Sequence, residues 1–331
     1  MAEAIVLRAH GGPETLRIDQ VDIGEPGPGE LRIRQTAVGV NYHDVYVRTG
    51  LYQTLALPGI PGIEAVGVVT ATGPETEGFA VGDRIGYITG QYGAYAAARV
   101  LPARLAIPLP EAIDDRLAAT VLLKGLTAAM LVRRVHRIEP GMTVLVHAAA
   151  GGVGRLVCQW AAALGATVIG TAGTEAKRDQ ALAAGCAHAI LYREVDFVAE
   201  VMLITQGRGV DVAYDGVGKD TFDGSLDALA TCGHLVNFGQ ASGPVKPLAM
   251  PRLAAKSASV TRPIIFHYTA EPGPLRDMAA AVFAAFAAGT LSAEAGQAFP
   301  LAEAGRAHTL LESRAATGPL ILIPEDGDDD A

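Results

Sequence analysis

Hydrophobic and polar positions follow two different rhythms on either side of residue 125. Before it, apolar residues come in short runs, AIVLRAH, LRIRQTAVGV and AVGVVTATG, separated by clusters such as GEPGPGE and LPGIPGIE. Short apolar runs between Gly/Pro turns predict a compact, mostly antiparallel β unit. After it, apolar strands alternate with helical stretches. TVLVHAA (143–149) predicts a strand, followed by GGVG and the helix-like RLVCQWAAALG. TVIGTAG, the helical TEAKRDQALAAG, the strand HAILY, DVAYDGVG, a helix from Asp220 and HLVNFGQ come next. This alternation predicts a doubly wound parallel sheet. SVTRPIIF (259–266) reads as its last strand, at an exposed edge. An Ala-rich helix over 275–288 and a strand LILIP (320–324) close the chain.

Composition narrows the class. Half of the 331 residues are hydrophobic and 18% are charged, as suits a globular chain with a sizeable core. No uninterrupted apolar run is long enough to span a membrane. The N-terminus, MAEAIVLRAHGG, carries Glu3 and reaches Gly-Gly too soon for a signal peptide, so a cytoplasmic protein is expected. The net charge is −9, and Glu325, Asp326, Asp328, Asp329 and Asp330 supply five of those charges. Such an end reads as a solvated, disordered tail, and the acidic balance disfavours nucleic acid as a partner. The three cysteines, Cys158, Cys186 and Cys232, show no CxxC spacing and read as buried structural thiols.

The strongest chemical signal is His147-Ala148-Ala149-Ala150-Gly151-Gly152-Val153-Gly154, between an apolar strand and a helix. That is the setting of a dinucleotide fingerprint. Gly151 lets the backbone approach a pyrophosphate, Gly154 lets the helix pack on the strand, and the helix N-terminus presents N–H groups and partial positive charge. Ala149 stands where the first glycine of G-x-G-x-x-G is usual. After the next strand, an NAD enzyme usually places a carboxylate for the ribose 2′-hydroxyl. Here the passage is Gly173-Thr174-Glu175-Ala176-Lys177-Arg178. Thr174 can donate a hydrogen bond, and Lys177 and Arg178 can offer charge to a 2′-phosphate. The same residues also suit a helix start capped by Thr174, with Glu175 facing solvent.

A β unit, a nucleotide domain and a return to the first unit resemble the medium-chain dehydrogenase/reductase superfamily. Its zinc members carry a cysteine ligand after a Gly-Val pair, a Gly-His-Glu, and a lobe of four cysteines. Here the first two positions read Gly39-Val40-Asn41 and Gly62-Ile63-Glu64, and the lobe is missing. Ile63 cannot bind metal and Asn41 has no thiolate, so no metal site is expected. HGGPETL, GVNYHDVYVRTGLY, LKGLTA, HAAAGGVG, GTEAK, ILYRE, NFGQASG, TRP and LLESRAATG, spread over nearly the whole chain, resemble the zinc-free, zeta-crystallin-like NADPH:quinone oxidoreductases.

The resemblance implies an α/β protein. A GroES-like, mostly β catalytic domain would take residues 1–124 and 267–331, and a Rossmann NADPH-binding domain residues 125–266. It implies NADPH as cofactor, a quinone or other electron-poor small molecule as substrate, and a homodimer formed through an edge strand. Asn41, Tyr46 and Tyr52 would be catalytic. Tyr42, His43, Asp44, Val45 and Tyr46 would meet the nicotinamide, and Gly151, Gly152 and Val153 the pyrophosphate. Gly173, Thr174, Lys177 and Tyr192 would hold the adenosine phosphate end. Phe238, Gly239, Gln240 and Ala241, with Ile264, would line the nicotinamide side, and Arg314 would make a late contact. Met130 and Val217 stand at cofactor positions where relatives can carry Tyr and Ser. Taken singly, Tyr42, Tyr46 and Tyr52 would equally suit core or surface positions of a turn-rich β unit. Tyr46 or Tyr52 could hydrogen-bond to the quinone oxygen that gains charge. The same fold would also serve reduction of the C=C bond of enones and enals, or a non-catalytic NADPH-binding or structural role.

Overall fold

The structure, a computed structural model, describes residues 1–325 except Arg314 and Thr317. Arg314 and the acidic tail beyond Glu325 therefore lie outside the described residues. The chain divides into two compact units. One comprises Met1–Leu123, Thr269–Ala279 and the described residues from Ala293; the other comprises Lys124–Tyr268 and Ala280–Ser292.

The first unit begins with β1 (Ala2–Leu7), β2 (Leu16–Val21), β3 (Glu30–Val40), α1 (Tyr42–Arg48) and β4 (Glu64–Thr72). β5 (Arg84–Ile88), β6 (Ala98–Pro102) and β7 (Ala106–Pro108) follow. β1 and β2 form an antiparallel ribbon. β3, β4, β5 and β7 pair antiparallel in sequence, and β6 pairs with the early part of β3. Alternation along β3 sends Leu31 and Ile33 into a core with Ile5, Leu7, Ile85 and Leu101. α2 (Asp115–Met130) carries residues of both units.

The second unit holds β8 (Thr143–Val146), α3 (Gly152–Ala163), β9 (Thr167–Ala172), α4 (Glu175–Ala183) and β10 (His188–Leu191). α5 (Phe197–Ile204), β11 (Val210–Asp215), α6 (Phe222–Asp227) and β12 (Leu229–Asn237) continue the alternation. α7 (Pro251–Ala254), β13 (Ser259–Thr261) and α8 (Ile265–Tyr268) complete it. The six strands are all parallel, in the order β10-β9-β8-β11-β12-β13. That is the doubly wound nucleotide-binding order, and its switch point lies between β8 and β11. Leu145, Ile169, Val210, Ala213 and Leu235 fill the core. α9 (Pro272–Ala287) then leads back, and β14 (Gln297–Pro300), α10 (Ala304–Glu312) and β15 (Leu320–Ile323) return to the first unit, where β15 pairs antiparallel with β3.

Three expectations need correction. The strand expected over 259–266 ends at Thr261: Pro263 cannot donate to a ladder, and 265–268 turn into α8. The first 120 residues are not only strands and turns, because α1 and the start of α2 lie there. Cys232 is exposed, unlike Cys158 and Cys186. It has φ +62 within β12, where the register against β11 shifts, and the irregular backbone turns its side chain outward.

Candidate active site

In the first unit, α1 places the predicted catalytic residues. Asn41 is its N-cap: the Asn41 N–H donates to Asp44 Oδ2 at 2.8 Å, and the Asp44 N–H donates to the Asn41 carbonyl at 3.0 Å. Asn41 Nδ2 donates to Glu64 Oε1 at 2.8 Å, and the Leu123 N–H donates to Glu64 Oε2 at 2.8 Å. Glu64 is fully buried. Gly39 makes room for it, since a β-carbon there would stand 2.1 Å from Glu64 Oε1. The Asn41 amide and the Glu64 carboxylate thus satisfy each other where the superfamily's zinc members hold ligands, and Ile63 contributes only methyl groups.

Beneath α1 is a buried polar network. Tyr95 Oη donates to Asp44 Oδ2 at 3.2 Å and lies 2.9 Å from His308 Nε2. Arg48, 1% exposed, donates to Glu312 Oε1 at 2.8 Å. Burial, aided by the Arg48 charge, pushes His308 down to about 3, so its ring is neutral. Burial and the Asp44 charge hold the Tyr95 hydroxyl well above its ordinary range.

On the other side of α1 the aromatic residues gather. The Tyr46 and Tyr52 rings meet edge to face with centroids 5.1 Å apart, and His43 stands 5.4 Å from Tyr52 in the same manner. The Tyr52 N–H donates to the Tyr46 carbonyl at 2.9 Å. His43 Nε2 lies 3.2 Å from Tyr92 Oη, which also meets Thr54 Oγ1. Burial pushes His43 down to about 4, which makes it a neutral neighbour of the tyrosines at physiological pH. Tyr46 and Tyr52 are half-buried, Val45 is in the core, and Tyr42 Oη donates to the Leu311 carbonyl at 3.0 Å. Tyr92 belongs to this constellation and was not singled out from the sequence, where Glu64 stood only in the Gly62-Ile63-Glu64 passage. Tyr92 sits in the left-handed region at φ +61, which no sequence pattern announces.

In the second unit, the glycine loop has the predicted form. Gly151 is the N-cap of α3 and offers no side-chain acceptor, so the first N–H groups of the helix have no side-chain cap, the form of a helix start that can receive an anion. A β-carbon on Gly154 would lie 2.3 Å from the Ala148 carbonyl, which explains the glycine as close helix–loop packing. Gly152 abuts the aliphatic stem of Lys124, and Val153 is half-buried beside it. His147, behind the loop, lies 3.0 Å from Thr171 Oγ1 and 2.8 Å from Ser225 Oγ, and burial lowers it. α4, by contrast, is capped: Thr174 Oγ1 accepts from the Lys177 N–H. Glu175 is exposed, as expected, and forms ion pairs with Arg178, as does Asp179. Tyr192 Oη lies 3.2 Å from where a Gly173 β-carbon would be.

At the ends of β11 and β12, Asp215 Oδ1 accepts from the N–H groups of Val217 and Gly218 and from Thr221 Oγ1. Gly239 packs on the Gly216 carbonyl, Phe238 covers Gly216, and the Ala241 N–H donates to the Gly216 carbonyl at 3.3 Å. Gln240 backs Gly218. Ile264 is 48% exposed, whereas Met130 is 1% exposed and belongs to the core of its helix. An uncapped helix, glycine-lined strand ends and the lack of a carboxylate at the end of β9 itself fit a pyrophosphate and a 2′-phosphorylated ribose.

A mostly β unit followed by this parallel sheet and loop defines a two-domain dehydrogenase/reductase. Residues 27–111 match the model of the alcohol dehydrogenase GroES-like domain, and residues 152–281 that of the zinc-binding dehydrogenases. The chain is 44% identical to the quinone oxidoreductase of Pseudomonas aeruginosa over 98% of its length and all of that protein. It is 40% identical to a Burkholderia 2-haloacrylate reductase over 98% of this chain and 100% of the relative. The Escherichia coli quinone oxidoreductase solved with NADPH superposes with a TM-score of 0.95 at 41% identity, covering 98% of this chain and 100% of that one. The protein belongs to the quinone oxidoreductase family of the medium-chain dehydrogenase/reductases.

Proposed function

We propose that the protein is an NADPH-dependent quinone reductase that works without a metal. Full-length similarity to quinone oxidoreductases, one of them solved with NADPH, carries this assignment. NADPH, when bound, supplies a hydride from its nicotinamide. Gly151, Gly152 and Val153 at the start of α3 hold the pyrophosphate through backbone N–H groups. Gly173, Thr174, Lys177 and Tyr192 hold the adenosine end, and Val217 with 238–241 and Ile264 line the nicotinamide side. Met130, buried, would act by shaping that wall; Arg314 lies outside the described residues. Residues 41–46 present the reacting face. Tyr46 or Tyr52 donates a hydrogen bond from Oη to the quinone oxygen that gains charge. A quinone needs no Lewis acid for this, because its reduced oxygens are phenolates of modest basicity. Loss of NADPH absorbance on adding para-benzoquinone to metal-free protein tests the proposal; no oxidation beyond the blank, in protein shown to bind NADPH, would overturn it.

The similarity to a 2-haloacrylate reductase favours a second reading, in which an activated C=C bond is the acceptor. A tyrosine hydroxyl or water would then deliver a proton to the α-carbon. Turnover of enals and unsaturated acids set beside quinones separates the two. We further propose a cytoplasmic homodimer. The open edge of β13 supports self-pairing there. No helix among the described residues is long and apolar enough to cross a membrane.

A further inference from the structure

We propose that Arg193 is the residue that makes the adenosine end of the nucleotide site specific for a 2′-phosphate. The inference rests on the NADPH reading above and adds to it a guanidinium outside the residues that the family resemblance implies. β9 and β10 are parallel neighbours with Leu191 in register with Ala172. The residues that leave the two strands, Tyr192–Arg193 and Gly173–Thr174, therefore emerge side by side at the carboxyl edge of the sheet, where ligands of doubly wound folds bind. The Tyr192 N–H donates to the Ala172 carbonyl at 3.3 Å and fixes that alignment. A β-carbon built on Gly173 would lie 3.2 Å from Tyr192 Oη and 3.4 Å from Arg193 Nε, so both side chains fold over the glycine. The Arg193 guanidinium carbon stands 6.0 Å from the Tyr192 ring centroid, a contact that orients the side chain.

Charge separates Arg193 from the other arginine nearby. Arg178 is engaged by Glu175 at 3.7 Å and Asp179 at 3.3 Å. Arg193 has no carboxylate partner among the described residues, and its side chain is exposed. A guanidinium with unspent donors beside the position of the ribose suits the two-point recognition of a phosphate that a lysine point charge does not supply. β9 ends at Ala172 and is followed by Gly173 and Thr174, so no acid stands at the strand end where an NAD enzyme would hold the 2′-hydroxyl and repel that phosphate.

Binding of NADPH and NADH to the wild-type protein and to Arg193→Ala, Arg193→Gln and Arg193→Lys, followed by nucleotide fluorescence, is the test. Removing the guanidinium is expected to weaken NADPH binding about 10- to 100-fold, the loss of a charge-assisted pair, and to leave NADH binding unchanged. Arg193→Lys should recover only part of the preference, and 2′,5′-ADP should lose affinity in parallel with NADPH while 5′-AMP does not. If the wild type prefers NADPH and the Ala and Gln variants keep that preference, Arg193 is not the discriminator and the function stands. If the wild type binds NADH as tightly as NADPH, this inference and the choice of NADPH fail together.

Discussion

The methyl of Ala149 lies against the bare α-carbon of Gly170: a β-carbon on Gly170 would stand 2.7 Å from Ala149 Cβ and 2.8 Å from Cys186 Sγ. The alanine at the first position of the glycine fingerprint is thus accommodated by a glycine on the neighbouring strand, and the Ala149 N–H still reaches the Thr171 carbonyl at 3.1 Å. Gly170→Ala is expected to cost about 1–3 kcal/mol of stability by overpacking and to weaken NADPH binding. Restoring the usual motif with Ala149→Gly should relieve only part of that loss in the double variant, because the contact with Cys186 Sγ remains. Urea unfolding and nucleotide titration of the three variants check this.

The edge-to-face pair of Tyr46 and Tyr52 gives two hydroxyls to separate. Tyr→Phe at whichever residue donates to the quinone oxygen should lower kcat about 100-fold or more, with NADPH affinity kept. The other substitution should leave kcat within a few-fold. Full turnover by both variants would mean that neither is the donor.

Buried histidines set an acid limit. His43, held to about 4, and His308, held to about 3, bind fewer protons folded than unfolded, where a histidine titrates near its ordinary value of 6.5. Their contribution to stability is fully present above pH 6.5 and is lost as pH falls toward the folded values. Each protonation adds a slope of about 1.4 kcal/mol per pH unit within that window. His136, His147 and His234, all lowered by burial, act in the same sense. Urea midpoints between pH 4 and 7 should fall with pH, and His308→Gln should flatten the fall by close to one proton.

Thiol titration should count one reactive cysteine in the native protein and three after denaturation. Cys232 is exposed. Cys158 and Cys186 are buried with sulfurs 3.4 Å apart, and their hydrogen bond and burial hold the Cys158 thiol well above its ordinary range.

Light scattering at micromolar concentration should give the mass of a dimer, and a charged substitution at the exposed Ser259 of β13, Ser259→Lys, should shift it toward the monomer. A wild-type monomer would sink the edge-pairing proposal.

The nucleotide sheet was legible because parallel strands buried on both faces read as plain apolar runs, TVLV and TVIGTA, and glycines punctuate their ends. α1 was not. Tyr-His-Asp-Val-Tyr-Val-Arg is built of aromatic and β-branched residues with little helix propensity. It is helical because Asn41 caps it and because Asp44 and Arg48 anchor it to Tyr95 and Glu312, which lie far along the chain. The neighbours of the tyrosines escaped notice for the same reason, since Tyr92 reaches His43 across 49 residues. Arg193 follows Tyr192 in a passage already singled out, ILYRE, but its proximity to Gly173 comes from the β9–β10 register, which no local pattern encodes.

The pairing of β15 with β3 also orders events during synthesis. Leu320 must meet Val40 to complete the first sheet, so that sheet waits until residues 320–323 have left the ribosome. The six parallel strands, all within residues 143–261, are available much earlier. A nascent chain would hold a finished nucleotide sheet while β3 still presented an open edge, and premature termination shortly before residue 320 would leave that edge exposed to aggregation.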